Sequence, residues 1–431
     1  MLIQFSVGNY LSFKETVTLS MVAANITAKD KSLDANNIFE IDDNLSLLKS
    51  AAIYGANASG KSNLLAAFWF MQWFVLNSSK ETQVDEEINI EEFRLSTETI
   101  HRPSFFEIIF ILDKIQYRYG FEITKEKVIS EWLYYVPKVR ETFLFERTLD
   151  KIKHTKVFKE AQGLVDKTRN NALFLSVVAQ FNGKIARRIL LWFRNKLGIL
   201  SGLEVQNYEG YTTQLLEENR YKNEIIQFIQ KLDLGIQEIK VEHIDVPTES
   251  IVGMPSELRK ALLHSKEKTI TLTSIKTVHK QYDKNGKHND LTIFEMNEHE
   301  SEGTKKLFAL TGPILDALAR GMVVIIDELD ARLHPLMTRA IIELFNSNET
   351  NPRNAQLIFM THDTNLLSHK IFRRDQIWFT EKDRKGVTDL YSLVEFKVGN
   401  DGSFESEYIQ GKYGGIPFLG NFQSLVREMN D

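Results

Sequence analysis

The sequence holds no cysteine in 431 residues. That excludes disulfide stapling and thiolate zinc sites, and it fits a reducing compartment. Long apolar runs are missing too: the longest, AAFWFMQWFVL at 66–76, is far short of the roughly 20 residues a bilayer-spanning helix needs. No signal-peptide core stands at the N-terminus, where MLIQFSVGNYLSF alternates apolar and polar residues like a strand. No charge of one sign dominates. The formal net charge of −5 gives no global pull toward nucleic acid or membrane, so any such contact needs a local patch. Nowhere does an a/d heptad persist, which argues against a long coiled-coil arm. The composition, 43% hydrophobic and 26% charged, is that of a globular chain of two or three lobes. The expectation is a cytoplasmic protein with no membrane partner.

What is present starts with SAAIYGANASGKSNLLAAFWF. It holds Gly55, Gly60, Lys61 and Ser62 in the spacing G-x-x-x-x-G-K-[ST], after an apolar strand (Ala51 to Tyr54) and at the start of a helix (Asn63 to Leu76). Glycines let main-chain N–H groups close around phosphate oxygens, and the helix N-terminus adds partial positive charge. Lys61 is expected on the β- and γ-phosphates and Ser62 on Mg²⁺. Asn57 within the loop and Asn63 beside Ser62 are further candidate nucleotide contacts.

Two more apolar runs end abruptly in polar residues. In GMVVIIDELDARLHP, Val323 to Ile326 reads as a parallel strand buried on both faces and ends in Asp327-Glu328. Adjacent carboxylates there are costly unless a site uses them. Asp327 is the candidate Mg²⁺ ligand, and Glu328 the base that orients and deprotonates a water. In AQLIFMTHDTNLL, Leu357 to Met360 reads as a third strand, ending in Thr361 and His362. Ligands of open α/β sheets bind outside the carboxyl ends of the strands, which makes His362 a candidate γ-phosphate contact.

A phosphate loop leaves the far side of the γ-phosphate open. In NEHESEGTKKLFAL a polar run gives way to a helical pattern at Ser301-Glu302-Gly303-Thr304. A second helix N-terminus of this kind closes such a site, with Ser301 donating, Gly303 allowing close approach, and Lys305 and Lys306 adding positive charge. The plainer reading of Ser301 is an ordinary helix N-cap.

Phosphate loop, Ser-x-Gly helix start, strand ending in Asp-Glu, Asp330 three residues on, and a strand ending in His appear in the order of ABC-class ATPases. The N-terminal NYLSFKE looks like the SMC and recombination-repair branch. More closely, the chain resembles small prokaryotic ATPases of abortive-infection systems, the AbiLi/RloA-like group. TRNNALFLSVVAQFN (168–182), RRDQIWFTEKD (373–383) and GKYGGIPFL (411–419) have that group's character. The resemblance implies an α/β fold: a P-loop NTPase of ABC/SMC-head type with a mixed sheet core, an N-terminal β subdomain and a mostly helical insertion. The expected divisions are 1–125, an insertion at 126–296, a lobe at 297–396 and a tail at 397–431. It also implies ATP and Mg²⁺, and a homodimer in which Ser301 and Gly303 touch ATP held by the partner's Lys61. Asp330 would stand at the dimer seam. The sequence departs from the family pattern at Glu300, Thr304 and Leu11, and Glu302 places negative charge near the arriving phosphate. Gln116 is not a convincing Q-loop residue, because it lies in a strand-like run.

Elsewhere, SFFEIIFILDKIQYRYGFEI reads as a hairpin turning near Asp113-Lys114, and EWLYYVPK as another strand. Phe174, Val177, Val178, Phe181, Ile185, Ile189 and Phe193 form a helical core stripe. KIARRILLWFRNK (184–196) pairs basic residues with Trp192 and Phe193, either as a nucleic-acid grip or as an amphipathic helix with a solvated basic face. The leading function is an ATP-dependent dimerising switch that governs a separate effector in antiviral defence, with a Toprim-type nuclease as the implied partner. This chain has no Asp-x-Asp pair of the kind that nuclease needs. The alternative is a DNA-repair or chromosome ATPase that binds DNA directly.

Overall fold

A computed structural model describes residues 1–81, 83, 86–203, 206–232, 235–247, 269–397 and 403–417. The chain forms two compact units. The first comprises Met1–Leu203, Ala317–Ala331 and Thr338–Asp431; the second comprises Glu204–Asp316 and Arg332–Met337. The first unit holds β1 (Leu2–Gly8), β2 (Val17–Ser20), β3 (Ile38–Asp42), β4 (Leu45–Leu48), β5 (Ser50–Gly55), β6 (Ser104–Leu112), β7 (Ile115–Ile123), β8 (Val128–Val136), β9 (Thr142–Thr148), β10 (Lys151–His154) and β11 (Leu197–Ser201). The second holds β12 (Ile236–Pro247), β13 (Thr269–Tyr282) and β14 (His288–Glu295). The chain then returns to the first unit with β15 (Val323–Asp327), β16 (Gln356–Met360), β17 (Ile377–Lys382) and β18 (Thr388–Ser392).

Two large sheets and the two-stranded pair β3-β4 build the first unit. One is antiparallel, in the order β10-β9-β8-β7-β6-β1-β2; the other runs β11-β15-β16-β5-β17-β18 and is parallel except for β18. The helix Lys61–Asn77 is apolar on more than one side, as a helix buried between two layers must be. Phe68 stacks on Phe5 of β1 and Phe74 meets Phe121 of β7, while Leu64, Ala67 and Met71 share a core with Ile53 and Ile325 of the parallel sheet. The expected hairpin is present: Asp113 and Lys114 both take positive φ (51° and 65°), the two-residue turn that matches strand twist. Gln116 is a ladder residue between Ile111 and Val136.

The expected divisions do not follow these units. A boundary at 125/126 falls between β7 and β8, neighbours in one sheet. The 126–296 stretch is not mostly helical, since it supplies β8 to β10 to that sheet, β11 to the parallel sheet and all of β12 to β14. The helical stripe is also broken. Phe181 caps the helix Phe174–Gln180 and is 53% exposed, and a second helix, Lys184–Lys196, starts after it. Of the tail at 397–431, residues 398–402 and 418–431 lie outside the described residues.

Two family-like stretches prove to be structural knots. Glu131, fully buried on β8, accepts from the main-chain N–H groups of Phe174 (2.6 Å) and Leu175 (3.0 Å), the open donors of that helix start, and from the Tyr119 hydroxyl. Arg147 beside it donates to the carbonyls of Ala172, Leu149 and Arg169, so 168–182 is fastened by a buried charge pair whose partners are satisfied. Arg373 similarly holds Asp34, Asp375 and the Ala24 carbonyl.

In the second unit, Leu215, Leu216, Ile225, Ile229, Ile239, Ile275 and Phe308 form the core under the antiparallel order β12-β13-β14. Pro313 interrupts the helix Glu302–Arg320 and strips the Ala309 carbonyl of its helical donor. The Thr212 hydroxyl donates to that carbonyl at 2.9 Å, so the proline costs no unpaired acceptor.

Candidate active site

The three strand ends singled out in the sequence meet. β15, β16 and β5 are neighbours in parallel register, so Asp327 and Glu328, Thr361 and His362, and Gly55 leave the same edge of the sheet. Asn57, Ala58, Ser59, Gly60, Lys61, Ser62, Asn63, Glu328, His362 and Lys382 line one cavity of about 400 Å³.

The loop is held open from behind. Gly60 takes φ 113°, and a Cβ on it would lie 2.5 Å from the Thr388 side chain; a Cβ on Gly55 would lie 2.4 Å from Thr380 Oγ1. Ser59 and Thr380 hydroxyls are 2.6 Å apart, and the Thr388 hydroxyl is 2.8 Å from both the Ser59 carbonyl and Ser12 Oγ. Asn63 donates to Ser12 Oγ at 2.6 Å. Asn63 therefore braces the N-terminal segment as well as bordering the cavity. Lys61 donates to the carbonyls of Gly55 (2.8 Å) and Ala56 (3.0 Å). Burial pulls its ammonium down to about 8, against Asp327, Glu328 and Asp330, which hold it up.

Opposite stand the carboxylates. Asp327 is buried, and its Oδ1 has no hydrogen-bond partner among the described residues. An orphaned buried carboxylate oxygen fits a cation ligand, and the exposed Ser62 hydroxyl lines the same cavity. No three His, Asp or Glu among the described residues are grouped to hold a metal by themselves, so a Mg²⁺ ion at this site would need further ligands from phosphate and water. Glu328 sits at φ 50°, a strained left-handed conformation for a side-chain-bearing residue. Gly202, just past β11, makes this possible. Its N–H donates to the Asp327 carbonyl at 2.7 Å, and a Cβ on it would lie 2.3 Å from the Glu328 carbonyl. The His362 main-chain N–H reaches Asp330 Oδ2 at 3.4 Å. Burial, then Lys61, lowers the imidazole below its usual value, and the carboxylates only partly oppose this. His362 is thus neutral near pH 7 and able to donate one N–H.

Sequence reasoning missed Gly202, Ser12, Thr380, Thr388 and Lys382. The run QIWFTEK carried a signal, since an apolar strand ending in charge is the same cue that identified β15. Trp192 and Phe193 are buried, with Trp192 stacked on Phe110 at 4.2 Å, while Arg187, Arg188 and Arg194 are exposed. The 184–196 helix is therefore amphipathic, and its aromatics are core.

Ser301 and Gly303 belong to the second unit. Ser301 is exposed, and its Oγ accepts from the Thr304 main-chain N–H at 3.1 Å, so it is an N-cap. Its hydroxyl also lies 2.8 Å from Thr304 Oγ1. Gly303 packs on the Arg332 carbonyl, which a Cβ would meet at 2.7 Å. Glu302 is engaged by Arg332 (2.8 Å) and Lys305 (3.0 Å), which neutralise it and hold its carboxyl below the usual range, Lys305 first. Lys306 is buried, while Lys305 lies at the turn, paired with Glu302. Glu300, before the serine, is tied to β13 by His279 at 2.7 Å and by the Thr277 hydroxyl.

Comparison with known proteins follows the same lines. The family described as "AAA domain, putative AbiEii toxin, Type IV TA system" matches residues 50–368. No curated protein matches the chain. Among solved structures, an SMC head bound to the C-terminal winged-helix domain of ScpA shares 12% identity over 91% of this chain and 97% of that one, with a TM-score of 0.43. The SMC head domain from Thermotoga maritima shares 12% over 92% and 99%, at 0.39. The recombination mediator RecF with ATP shares 12% over 91% and 99%, at 0.34. The fold is of the expected α/β class, with a parallel sheet that carries the phosphate loop and an antiparallel sheet that takes in the N-terminal strands.

Proposed function

The chain belongs to the AAA-domain family described as a putative AbiEii toxin of type IV toxin–antitoxin systems, and from that premise we propose that it is an ATP-hydrolysing switch that closes as a homodimer on two ATP molecules. The observation that carries the chemical half is the shared cavity, in which Lys61 and Ser62 face Glu328 and His362. Lys61 leaves its two loop carbonyls for the β- and γ-phosphates. Ser62 and Asp327 would hold Mg²⁺, whose positive charge would offset that of the phosphate oxygens. Glu328 orients and deprotonates the attacking water, and neutral His362 donates to the γ-phosphate. Supporting the dimer is that Ser301 and its helix start are exposed, with Glu302 neutralised beside them. Ser301 and Gly303 of one copy complete the pocket of the other, with Asp330 at the seam. The switch governs a separate effector of the nuclease class in antiviral defence, in the manner of the AbiLi/RloA-like group. DNA is not required.

The test uses Glu328→Gln, which removes the base and keeps the phosphate contacts. It should trap an ATP-dependent dimer by size-exclusion chromatography, and a monomer in saturating ATP refutes the switch. Mixing Lys61→Ala with Ser301→Arg should restore part of the ATPase activity that each lacks, because one mixed pocket is intact. No recovery means that Ser301 acts within its own subunit. Duplex DNA should leave the rate unchanged.

A further inference from the structure

Besides Asp327 Oδ1, two buried polar atoms near the strand ends have no hydrogen-bond partner among the described residues, one a donor and one an acceptor. The Tyr54 side chain is fully buried and its hydroxyl, a donor, makes no hydrogen bond among the described residues. Asp330 Oδ1, an acceptor, is buried and equally unpartnered. Tyr54 ends the apolar run of β5 just before Gly55. On a strand buried on both faces, a phenylalanine would fill the same space without a stranded hydroxyl. Its ring is fixed by Tyr408 at 6.0 Å and Phe379 at 6.3 Å, so the hydroxyl is not free to swing out to solvent. Burial, Asp363 and then Asp330 together hold the phenol well above its usual value, which fits a proton kept for donation to a carboxylate. Of those two carboxylates, Asp363 already accepts from Asn365 through Oδ1. Asp330 is held through Oδ2 alone, by the His362 N–H at the long distance of 3.4 Å.

We propose that Tyr54 is a positioning residue of the ATPase cycle: on nucleotide loading its hydroxyl donates to Asp330 Oδ1, directly or through one water. This ties the phosphate-loop strand to the turn after Glu328. The inference rests on the proposed ATPase function and adds a second-layer residue to it. Tyr54 touches no phosphate. It fixes Asp330, whose other oxygen meets the His362 main chain, so that loop, water-activating turn and γ-phosphate contact move as one.

The experiment is Tyr54→Phe in the full chain, assayed for kcat, KM and thermal midpoint beside Asp330→Asn, the double variant, and Tyr408→Phe as contrast. Tyr408 donates to the Gly415 carbonyl at 2.9 Å, so its loss breaks a bond already made. Expected for Tyr54→Phe is a fall of about tenfold in kcat, KM within twofold, and a thermal midpoint equal to or above the parent. Tyr408→Phe should lower the midpoint and leave kcat alone. The double variant should fall no further than Asp330→Asn, because the two act as one unit. ATP affinity from fluorescent-nucleotide titration serves as the folding control. A Tyr54→Phe enzyme with parental kcat, or single effects that multiply in the double, overturns the inference. If the parent chain itself hydrolyses no ATP, the function proposed above fails first and this falls with it.

Discussion

The lysine of the phosphate loop should make ATP binding pH-dependent in a range where lysines ordinarily do not titrate. Lys61 is buried and bonded to two loop carbonyls, and burial lowers it from 10.5 to about 8. A bound triphosphate surrounds the ammonium with negative oxygens and raises its pKa again. The sign follows. Affinity is fully present below about pH 8, where the lysine enters already charged, and is lost as pH rises, because binding must then take up a proton. With the free-state value near 8, apparent Kd should rise roughly tenfold by pH 9, about 1.4 kcal/mol. About half a proton should be taken up per ATP at pH 8. Isothermal titration calorimetry in two buffers of different ionisation heat, from pH 7 to 9.5, reads both quantities. Lys61→Arg keeps its charge throughout and should flatten the profile. A parent Kd constant within twofold over that range, with no proton linkage, would show that the loop carbonyls leave Lys61 as basic as a solvated lysine.

Gly202→Ala tests the clamp on the catalytic turn. A Cβ at 2.3 Å from the Glu328 carbonyl and 2.4 Å from that of Asp327 forces backbone to move, at about 1–3 kcal/mol. We expect a lowered thermal midpoint and a kcat reduced more than tenfold, while Gly210→Ala, which meets nothing within 4 Å, leaves kcat unchanged. Glu302→Gln removes two surface ion pairs, to Arg332 and Lys305, so the melting curve should shift little. It also removes a negative charge beside Ser301, which should tighten ATP-driven self-association several-fold, on the order of 1 kcal/mol, and most at low salt. Association that weakens instead would mean that Glu302 is needed to hold the turn through Arg332.

The site was legible where continuous apolar runs break into polar residues. Ser50–Gly55, Val323–Asp327 and Gln356–Met360 are each buried throughout, and a parallel strand so buried can show polarity only at its ends. The brace behind the loop was not legible. Ser12, Thr380 and Thr388 are small hydroxyl residues scattered along the chain, brought together only when β17 and β18 add to β5. Gly202 was hidden for a similar reason, since its role depends on β11 pairing with β15 across more than 120 residues of intervening sequence. EWLYYVPK was read as a strand, but the sheet that it joins was not legible, because β8 pairs with β7 across the expected 125/126 boundary. The true division between units is instead set by which strands β6 and β15 recruit. Phe181 shows the limit of periodicity: correct spacing for a stripe, yet placed at a helix end where the chain turns outward.

Ser301 joins two readings that the sequence kept apart. As an N-cap it uses a lone pair, accepting from Thr304 N–H at 3.1 Å. As a ligand to a partner's triphosphate it uses its hydrogen, for which only Thr304 Oγ1 at 2.8 Å competes among the described residues. One hydroxyl does both, so the cap pre-orients the donor. Ser301→Asp separates the two roles. Aspartate caps a helix as well as serine does, so thermal stability should change by no more than about 0.5 kcal/mol. It has no hydrogen to give when ionised, and it adds negative charge where phosphate must arrive. ATP binding to a single head should survive and self-association should vanish. If Ser301→Asp still dimerises in ATP, the serine is a cap alone, and the far side of the γ-phosphate is closed by something else.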